Sequence, residues 1–448
     1  MKNLISLFYT NLFLTRRLLA GLIACIVFFL FRFFFEWLGL LPELFFGALM
    51  LLAMLDALLL YRTRNGVFAR RQAPERLSNG DDNELAVYIE NFYPFGIQAG
   101  IIDEIPHQFQ KRDVWFKTSI TSRQHKLISY VLKPLKRGEY DFGMIRVFVH
   151  SPLGLLSRRY NFAEQEVLPV YPSFLQMRQY ELMAISNRLN EMGIKKIRRL
   201  GNSMEFEQIK TYVPGDDYRN INWKASARQG SLMTNNYTDE KSQQVYCIID
   251  KSRAMKMPFE GLSLLDYAIN ASLVLSNVAL LKQDKAGIIT IAEKTGAIIP
   301  ADRKPAHINK ILEVLYKEKT RYLETNMEML YTTVRRVIKQ RSLVVLFTNY
   351  ESLSSLNRHL PFLKRIASHH LLLVVFFENT ELKKLSQEPA KDVEGIYIKT
   401  IAEKFAYDKK LIVKELAKHG IQSILTSPQN LTINTVNRYL ELKARQRI

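Results

Sequence analysis

Residues 205–228 are unusually rich in side chains that could do chemistry. Carboxylates, basic groups and aromatic rings follow one another there, and two aspartates are adjacent. The candidate binding or signature residues are Glu205, Phe206, Tyr212, Pro214, Gly215, Asp216, Asp217, Arg219, Trp223, Lys224 and Arg228. These residue types could form a polar surface that binds a partner. Alternatively, they could pair with one another and lock a loop, with Trp223 as its apolar anchor.

The local sequence predicts how this stretch is shaped. Pro214 and Gly215 predict a turn, because proline fixes φ and glycine accepts a positive φ. Asp217 could cap a short helix over residues 218–228. A hydrolase that uses this cluster is the enzymatic alternative, and it requires an aspartate with a shifted pKa. No histidine or serine–base pairing lies nearby, so we expect no enzyme activity.

An alternation of strands and helices follows this stretch. Apolar runs at residues 245–250, 285–291, 342–347, 370–377 and 421–425 predict strands. Amphipathic patterns at residues 263–282, 307–316, 327–341, 356–368, 402–419 and 432–445 predict helices. Such alternation predicts a doubly wound parallel sheet, with function at the carboxyl ends of its strands.

Two apolar stretches near the amino terminus predict a membrane hairpin. They cover residues 18–37 and 38–61, and each supplies the ~20 residues that a bilayer span needs. Basic residues flank the pair on both outer sides, including Arg16, Arg17 and the cluster Arg62, Arg64, Arg70 and Arg71. The positive-inside rule therefore places both termini and the soluble domains in the cytoplasm. Arg32 and Asp56 are ionisable residues within the stretches, and we expect Arg32 to reach the interface or to pair with Asp56.

Between the hairpin and the signature stretch, short alternating runs predict a β-sandwich. The predicted organisation is a hairpin and linker at residues 1–70, a β-sandwich-like domain at 71–172, and the signature region with an α/β domain at 173–448. Cys25 and Cys247 both lie in apolar runs, so no disulfide is expected. The net charge of +20 favours an anionic membrane surface over nucleic acid, because no zinc-finger or RNA-binding signature is present.

The signature stretch resembles the bacterial family named domain of unknown function 58. The hallmark is a Glu-Phe pair, here Glu205-Phe206, followed by a Tyr-x-Pro-Gly-Asp-Asp-x-Arg-x-Ile-x-Trp-Lys core, here beginning at Tyr212. The resemblance implies a membrane anchor, a β-sandwich and a von Willebrand factor A-like domain. It also implies a setting beside MoxR-type AAA+ ATPases, which look like chaperones acting on such partners.

Von Willebrand factor A-like domains hold Mg²⁺ at the sheet edge, so the resemblance also implies a ligand set. The matching positions here are Asp250, Ser252, Thr325 and Asn349. One hydroxyl and one carboxylate of the usual set are missing, and Lys251 and Arg253 add positive charge to the loop. Hard cations favour oxygen ligands with negative charge, so we expect a degenerate site with weak Mg²⁺ binding at most.

These patterns together predict a scaffold or adaptor in the bacterial inner membrane. The expected partners are the lipid bilayer, a MoxR-type AAA+ ATPase and a protein client, with nucleic acid disfavoured. No phosphate-binding loop, metalloprotease motif or nucleophile elbow is present in the sequence.

Overall fold

The computed structural model describes residues 11–111, 115–162, 166–185, 204–239, 242–387, 389 and 392–445. The chain divides into two compact units, Met1–Tyr171 (unit 1) and Pro172–Ile448 (unit 2). Cys25 and Cys247 are both free and buried.

Unit 1 carries two apolar helices, α1 (Arg16–Phe34) and α2 (Leu41–Arg62). Both are long and apolar enough to cross a membrane, and only 11% and 17% of their apolar windows are buried. A third helix of comparable composition, Leu264–Leu281, is 83% buried and therefore belongs to a protein core. The first helix ends earlier than its apolar stretch, because residues 36–38 form a 3₁₀ turn before Gly39, whose φ is +50°.

The two ionisable residues of the hairpin have separate partners. Arg32 forms an ion pair with Glu43. Asp56 is fully buried and accepts hydrogen bonds from the backbone N–H groups of Leu155 at 2.9 Å and Leu156 at 2.8 Å, and from the Ser151 hydroxyl. The expectation that Arg32 pairs with Asp56 is therefore wrong. Instead, Asp56 joins α2 to the β-structure that follows it.

The rest of unit 1 is β-structure, and its strands alternate between buried and more exposed residues. The strands are β1 (Leu12–Leu14), β2 (Val67–Gln72), β3 (Leu77–Ser78), β4 (Asn83–Asn91), β5 (Ile97–Asp103), β6 (Trp115–Ile120), β7 (His125–Leu132), β8 (Gly138–Phe142), β9 (Ile145–His150), β10 (Leu156–Phe162) and β11 (Glu166–Tyr171). They form sheets in the orders β1-β10-β9-β5-β6, β2-β4-β7 and β3-β11-β8. Period-two burial points one face of each strand at the core.

A buried charge cluster lies in unit 1. The Arg71 guanidinium forms an ion pair with Asp103 and donates to the Gly143 carbonyl at 2.9 Å. The Tyr130 hydroxyl also donates to Asp103, and Arg71 lies 4.9 Å from the centroid of the Phe142 ring. The sequence places Arg71 among the basic residues beside the membrane, but this side chain is fully buried and neutralised. It therefore adds nothing to a surface charge cushion.

Unit 2 combines a β-hairpin with an α/β domain. Its elements are α3 (Phe174–Ile185), β12 (Met204–Thr211), α4 (Trp223–Gln229), β13 (Met233–Asp239), β14 (Gln244–Asp250), β15 (Pro258–Phe259), β16 (Leu262–Ser263), α5 (Leu264–Leu281), β17 (Lys285–Ile291), β18 (Thr295–Asp302), α6 (His307–Lys317), α7 (Met327–Val337), β19 (Leu343–Phe347), α8 (Leu353–Ala367), β20 (Leu371–Phe377), α9 (Thr380–Gln387), α10 (Val393–Lys418), β21 (Gln422–Thr426) and α11 (Leu431–Ala444).

The main sheet of unit 2 has the order β18-β17-β14-β19-β20-β21. Its pairs are parallel except that β18 runs antiparallel to β17. The central strand β19 is buried at every residue, as expected for a parallel sheet covered on both faces. The predicted α/β alternation is confirmed. Strand β18 was not predicted, because its Gly296 and Pro300 argue against an interior strand, whereas an edge strand tolerates proline.

Candidate functional site

Asp250 lies at the point where the direction of the chain across the sheet changes. It ends β14, from which the chain continues to β17 on one side and later to β19 on the other. In open parallel sheets the carboxyl ends of the strands form a crevice at such a point, and ligands bind there. The strand order therefore selects the ends of β14 and β19 as a candidate site.

The Asp250 carboxylate is surrounded by hydrogen-bond donors. One oxygen accepts from the Ser252 backbone N–H at 2.9 Å and from the Thr325 hydroxyl. The other oxygen accepts from the Thr348 hydroxyl at 2.7 Å. All of these residues are buried. The structure thus brings Asp250, Ser252 and Thr325 together and adds Thr348, whose hydroxyl the sequence analysis did not assign to the site.

Asn349 has a different partner. Its side-chain oxygen accepts a hydrogen bond from Lys409 Nζ at 2.7 Å, and its amide group donates to the Ala254 carbonyl at 3.4 Å. Lys409 lies on α10, and its burial lowers the pKa of the ammonium group to about 8, while the charge of Glu351 acts in the opposite direction. The cationic side chain of Lys409 therefore lies within hydrogen-bonding distance of Asn349, one of the expected metal ligands.

The two basic residues of the loop after β14 are neutralised. Lys251 Nζ lies 2.6 Å from a carboxylate oxygen of Glu318, and both groups are buried. Arg253 pairs with Glu324 at 3.4 Å. From the sequence, these two cations are predicted to repel a metal ion. Their pairing removes most of that repulsion.

A divalent cation nevertheless fits this set of residues poorly. Asp250 supplies one carboxylate, and both of its oxygens already accept hydrogen bonds from Ser252, Thr325 and Thr348. The Asn349 oxygen is engaged by an ammonium group. Across the described part of the chain, no group of three His, Cys, Asp or Glu side chains is placed to hold a metal ion. Mg²⁺ and Ca²⁺ sites usually combine more oxygen ligands and more negative charge than this.

Residues 204–239, here called the signature segment, form a hairpin of β12 and β13 with an irregular connection. The connection folds back on the hairpin, since the Tyr212 N–H donates to the Leu232 carbonyl at 2.8 Å and the Asn222 N–H donates to the Met233 carbonyl at 2.9 Å. Gly215 has a φ of +114°, which explains the glycine in the predicted turn. These bonds hold the connection in one conformation.

The helix predicted over residues 218–228 is interrupted. Asp217 caps a 3₁₀ helix at Tyr218–Asn220 by accepting from the Arg219 N–H at 3.0 Å. Asn222 then caps α4 by accepting from the Ala225 N–H at 3.0 Å. Ile221 lies between the two caps and forms a β-bridge with Thr234. This pairing takes the backbone out of the helical conformation, so the continuous helix prediction is wrong, although Asp217 does act as a cap.

Asp216 has a structural partner. One of its oxygens lies 3.0 Å from Lys210 Nζ, and the other accepts from the Val213 N–H at 3.1 Å. The hydrogen bond from Lys210 lowers the pKa of the Asp216 carboxyl. An aspartate that serves as a general acid at neutral pH needs a raised pKa. Asp216 instead stays charged and fixes the turn.

Two aromatic residues of the signature segment, Tyr218 and Trp223, are largely exposed. Trp223 is 70% exposed and Tyr218 is 68% exposed, and the Arg219 guanidinium lies 5.7 Å from the centroid of the Tyr218 ring. The proposal that Trp223 anchors the loop is therefore wrong. Further exposed apolar side chains of this segment are Ile209, Val213 and Leu232.

The remaining signature residues lie on α4, on β12 and in the turn before Asp216. Lys224 and Arg228 are exposed on α4. Glu205 and Phe206 belong to β12, where they pair in register with Thr238 and Tyr237, but their side chains lie outside the described residues. Pro214 is exposed and forms a bridge with Asp216.

Sequence reasoning missed Lys409, which lies 60 residues beyond Asn349. Lys409 is one of several lysines in an amphipathic helix, and the sequence does not indicate that its ammonium group packs against the edge of the sheet. The apolar residues around it, such as Phe405 and Ala406, were the available signal.

Comparisons with known proteins match most of the signature segment and the sheet strands from β14 to β20. A family model described as "Protein of unknown function DUF58" matches residues 208–391. An uncharacterised protein, YeaD of Bacillus subtilis, is 28% identical over 220 residues, which span 46% of this chain and 53% of that protein. The match therefore covers about half the length of this curated relative.

Two solved structures were also matched over 46% of this chain and 100% of their own length. One is the conserved hypothetical protein BatB from Bacteroides thetaiotaomicron, at 15% identity and a TM-score of 0.30. The other is an aerotolerance-related membrane protein from Bacteroides fragilis, at 15% identity and a TM-score of 0.28. Residues 208–391 of this chain are therefore similar to the DUF58 family, whose model they match.

Proposed function

We propose that this protein is a membrane-anchored scaffold or adaptor whose unit 2, a von Willebrand factor A-like domain, binds protein partners. The observation that carries the proposal is the exposed aromatic and basic surface of the signature segment. Trp223 and Tyr218 are largely exposed, and Arg219, Lys224 and Arg228 lie beside them in the sequence. Tryptophan, tyrosine and arginine dominate the binding energy of protein interfaces. An exposed tryptophan held on an ordered segment therefore favours recognition of another protein.

The anchor is the helix pair α1 and α2, and its surroundings support a two-pass arrangement. Strand β1 precedes α1 and pairs with β10, which follows α2 in the chain. A strand before the first helix and a domain after the second thus share one sheet, which supports the proposal that both lie on the same side of a bilayer. Arg16, Arg17, Arg62 and Arg64 flank the helices on that side, so we propose a bacterial inner-membrane protein with a cytoplasmic domain.

The proposed partners are a MoxR-type AAA+ ATPase and a protein client. The resemblance of the signature residues to their family motivates the ATPase, and the exposed side chains of the signature segment offer it a surface. Nucleic acid is not proposed as a partner. A hydrolase that uses residues 205–228 is the enzymatic alternative, and the lowered pKa of Asp216 argues against it.

Recognition by unit 2 is proposed to be largely independent of metal. Mg²⁺ binding at Asp250, Ser252, Thr325 and Asn349 would have to displace the hydrogen bond between Asn349 and Lys409. We therefore expect a calorimetric titration of the purified protein with Mg²⁺ to show millimolar affinity or none. Micromolar binding would contradict this part of the proposal.

Co-purification from membranes tests the partner directly. Full-length protein with an affinity tag would be cross-linked in intact cells with nucleotide trapped on ATPases, then purified in detergent. We expect an AAA+ ATPase to be recovered with the wild type and to be depleted with Trp223→Ala. Trp115→Ala is the matched control, because Trp115 is a similarly exposed tryptophan, 57% exposed, in unit 1.

Three results would count against the proposal. The first is recovery of no ATPase with the wild type. The second is equal recovery with Trp223→Ala, and the third is equal loss with both tryptophan variants. The last result would indicate a general effect of removing an exposed aromatic residue rather than a specific surface.

A further inference from the structure

A cavity of about 250 Å³ opens at the carboxyl ends of β19, β20 and β21. Its walls are mainly apolar and come from the strand ends, from α9 and from α10. The main apolar contributors are Phe259, Phe377, Leu382, Phe405 and Leu425. Ligand cavities in proteins are typically apolar with a few convergent polar groups, and in parallel sheets they lie at this edge. The cavity shares Asn349 with the Asp250 site but extends away from it toward β21.

Two opposite charges line this cavity without pairing. The contacts of Lys409 are the Asn349 oxygen at 2.7 Å and the Phe376 ring, whose centroid lies 5.7 Å away. Among the described residues, neither Lys409 nor Glu351 has an ion-pair partner within 4.0 Å. Glu378, another lining residue, is already paired with Lys383 at 3.1 Å. Lys410, which is exposed, also lines the cavity. The cavity therefore offers the ammonium group of Lys409 and the carboxylate of Glu351 beside apolar walls.

The volume of the cavity and the charges of Lys409 and Glu351 indicate the chemical class of its ligand. Sites for drug-sized molecules typically measure roughly 300–1,000 Å³. A cavity of about 250 Å³ is smaller and suits one large apolar side chain. The ligand must also carry a carboxylate for Lys409 and a donor for Glu351. A fatty acid lacks the donor, whereas the last residue of a polypeptide has the apolar side chain, the carboxylate and the N–H group within a few bonds of one another.

We propose that this cavity binds the carboxyl-terminal residue of a protein chain. The apolar side chain of that residue occupies the cavity, its terminal carboxylate accepts a hydrogen bond from Lys409, and its peptide N–H donates to Glu351.

The inference deepens the recognition role and rests on it, because it specifies which part of a client unit 2 holds. It does not require the ATPase. A peptide titration uses the purified protein alone, so failure to bind the peptide would not affect the co-purification result. Failure to recover an ATPase would likewise not affect the peptide titration.

The test is a titration of full-length protein in lipid nanodiscs with an acetylated tripeptide, acetyl-Ala-Ala-Phe. We expect binding of the peptide with a free carboxylate, and at least about tenfold weaker binding of the same peptide with a terminal amide, because a charge-assisted hydrogen bond is lost. Equal affinity for acid and amide would overturn the proposal. Free phenylalanine that binds as tightly as the peptide acid would overturn the polypeptide source and identify an amino-acid site instead.

Variants on α10 separate the ammonium group from general effects. Lys409→Met keeps the unbranched stem and removes the charge, and we expect it to weaken binding of the peptide acid by about tenfold or more without weakening the amide. Lys414→Met is the matched control, since Lys414 is exposed on the same helix and does not line the cavity. A melting temperature for each variant confirms folding. Unchanged affinity in folded Lys409→Met, or equal weakening in both variants, would overturn the assignment of Lys409.

Discussion

Each unit draws a cation away from solvent, Arg71 completely and Lys409 in part, but the two are surrounded differently. In unit 1, Arg71 pairs with Asp103, which also accepts from Tyr130, and the guanidinium donates further to Gly143. In unit 2, the polar and aromatic contacts of Lys409 among the described residues are a neutral amide oxygen and an aromatic ring. The first cation is closed off from any ligand. The second lies beside an open cavity of about 250 Å³.

This difference separates a structural charge from a candidate binding charge. A buried ion pair with all its hydrogen bonds made has no capacity left for a partner, and removing either member leaves the other uncompensated. A largely buried ammonium group without an ion-pair partner carries a desolvation cost that a ligand carboxylate could offset. Burial alone would not distinguish the two cases. The identity of the neighbouring groups does.

The largest effect on stability is expected at the buried charge cluster of Arg71 and Asp103. Asp103→Ala should lower the free energy of unfolding by about 3–5 kcal/mol, because Arg71 would remain buried and unpaired. Thermal unfolding of the full-length protein in detergent measures this. Asp141→Ala, at an exposed position on β8, is the control and should change stability by less than about 0.5 kcal/mol. A small effect at Asp103 would mean that the cluster is not structural.

A somewhat smaller loss is expected at the junction between α2 and the β-structure. Asp56→Ala removes the acceptor for Leu155, Leu156 and Ser151, and should destabilise unit 1 by about 2–4 kcal/mol. Asp56→Asn retains one acceptor oxygen, so its effect should be smaller. The same unfolding assay ranks the two variants, and equal effects would argue against a role for the hydrogen bonds.

Removing the charge of Lys409 should raise the free energy of unfolding, unlike the two aspartate substitutions. Lys409→Met is expected to stabilise the protein at pH 7 by about 1–3 kcal/mol, because it removes a cation whose charged form is disfavoured by burial. The folded-state pKa of about 8 lies below the ordinary value of 10.5. The folded protein therefore binds fewer protons between these pH values, and wild-type stability should rise from pH 8 to pH 10.5. Lys409→Met should lack this rise, and identical pH profiles for both proteins would contradict the lowered pKa.

The smallest effect on stability is expected at the signature segment. Trp223→Ala should change the free energy of unfolding by less than about 0.5 kcal/mol, since the side chain is 70% exposed. Its effect should appear in partner recovery alone. A strongly destabilised Trp223→Ala would place the tryptophan in the structure of the segment rather than in an interface.

Much of the fold could be predicted from the sequence. Periodicity and length identified the apolar helices and the strands of the parallel sheet, because those signals are local and strong. The 3₁₀ turn before Gly39 and the edge strand β18 were missed, since they depend on a positive φ and on the tolerance of an edge for Pro300. The break in the signature helix arises from the pairing of Ile221 with Thr234, which no local propensity encodes.

The candidate site was predictable only in part. Asp250, Ser252 and Thr325 match the ligand set that the family resemblance implies, and the structure brings them together. Lys409 was not predicted as a site residue, because its position beside Asn349 depends on how α10 packs on the sheet edge. Arg71 shows the converse error. Its sequence position beside the membrane suggested a surface charge, whereas tertiary packing buries it against Asp103.

The pH dependence of peptide binding tests the central claim most directly, namely that the unpaired Lys409 ammonium marks a recognition site. The affinity of full-length protein for acetyl-Ala-Ala-Phe would be measured at pH 6.5 and at pH 9.5, on either side of the Lys409 pKa of about 8. We predict that binding weakens about tenfold or more at the higher pH, because the amine loses its charge while the peptide carboxylate keeps its own. The same affinity at both pH values would contradict the account.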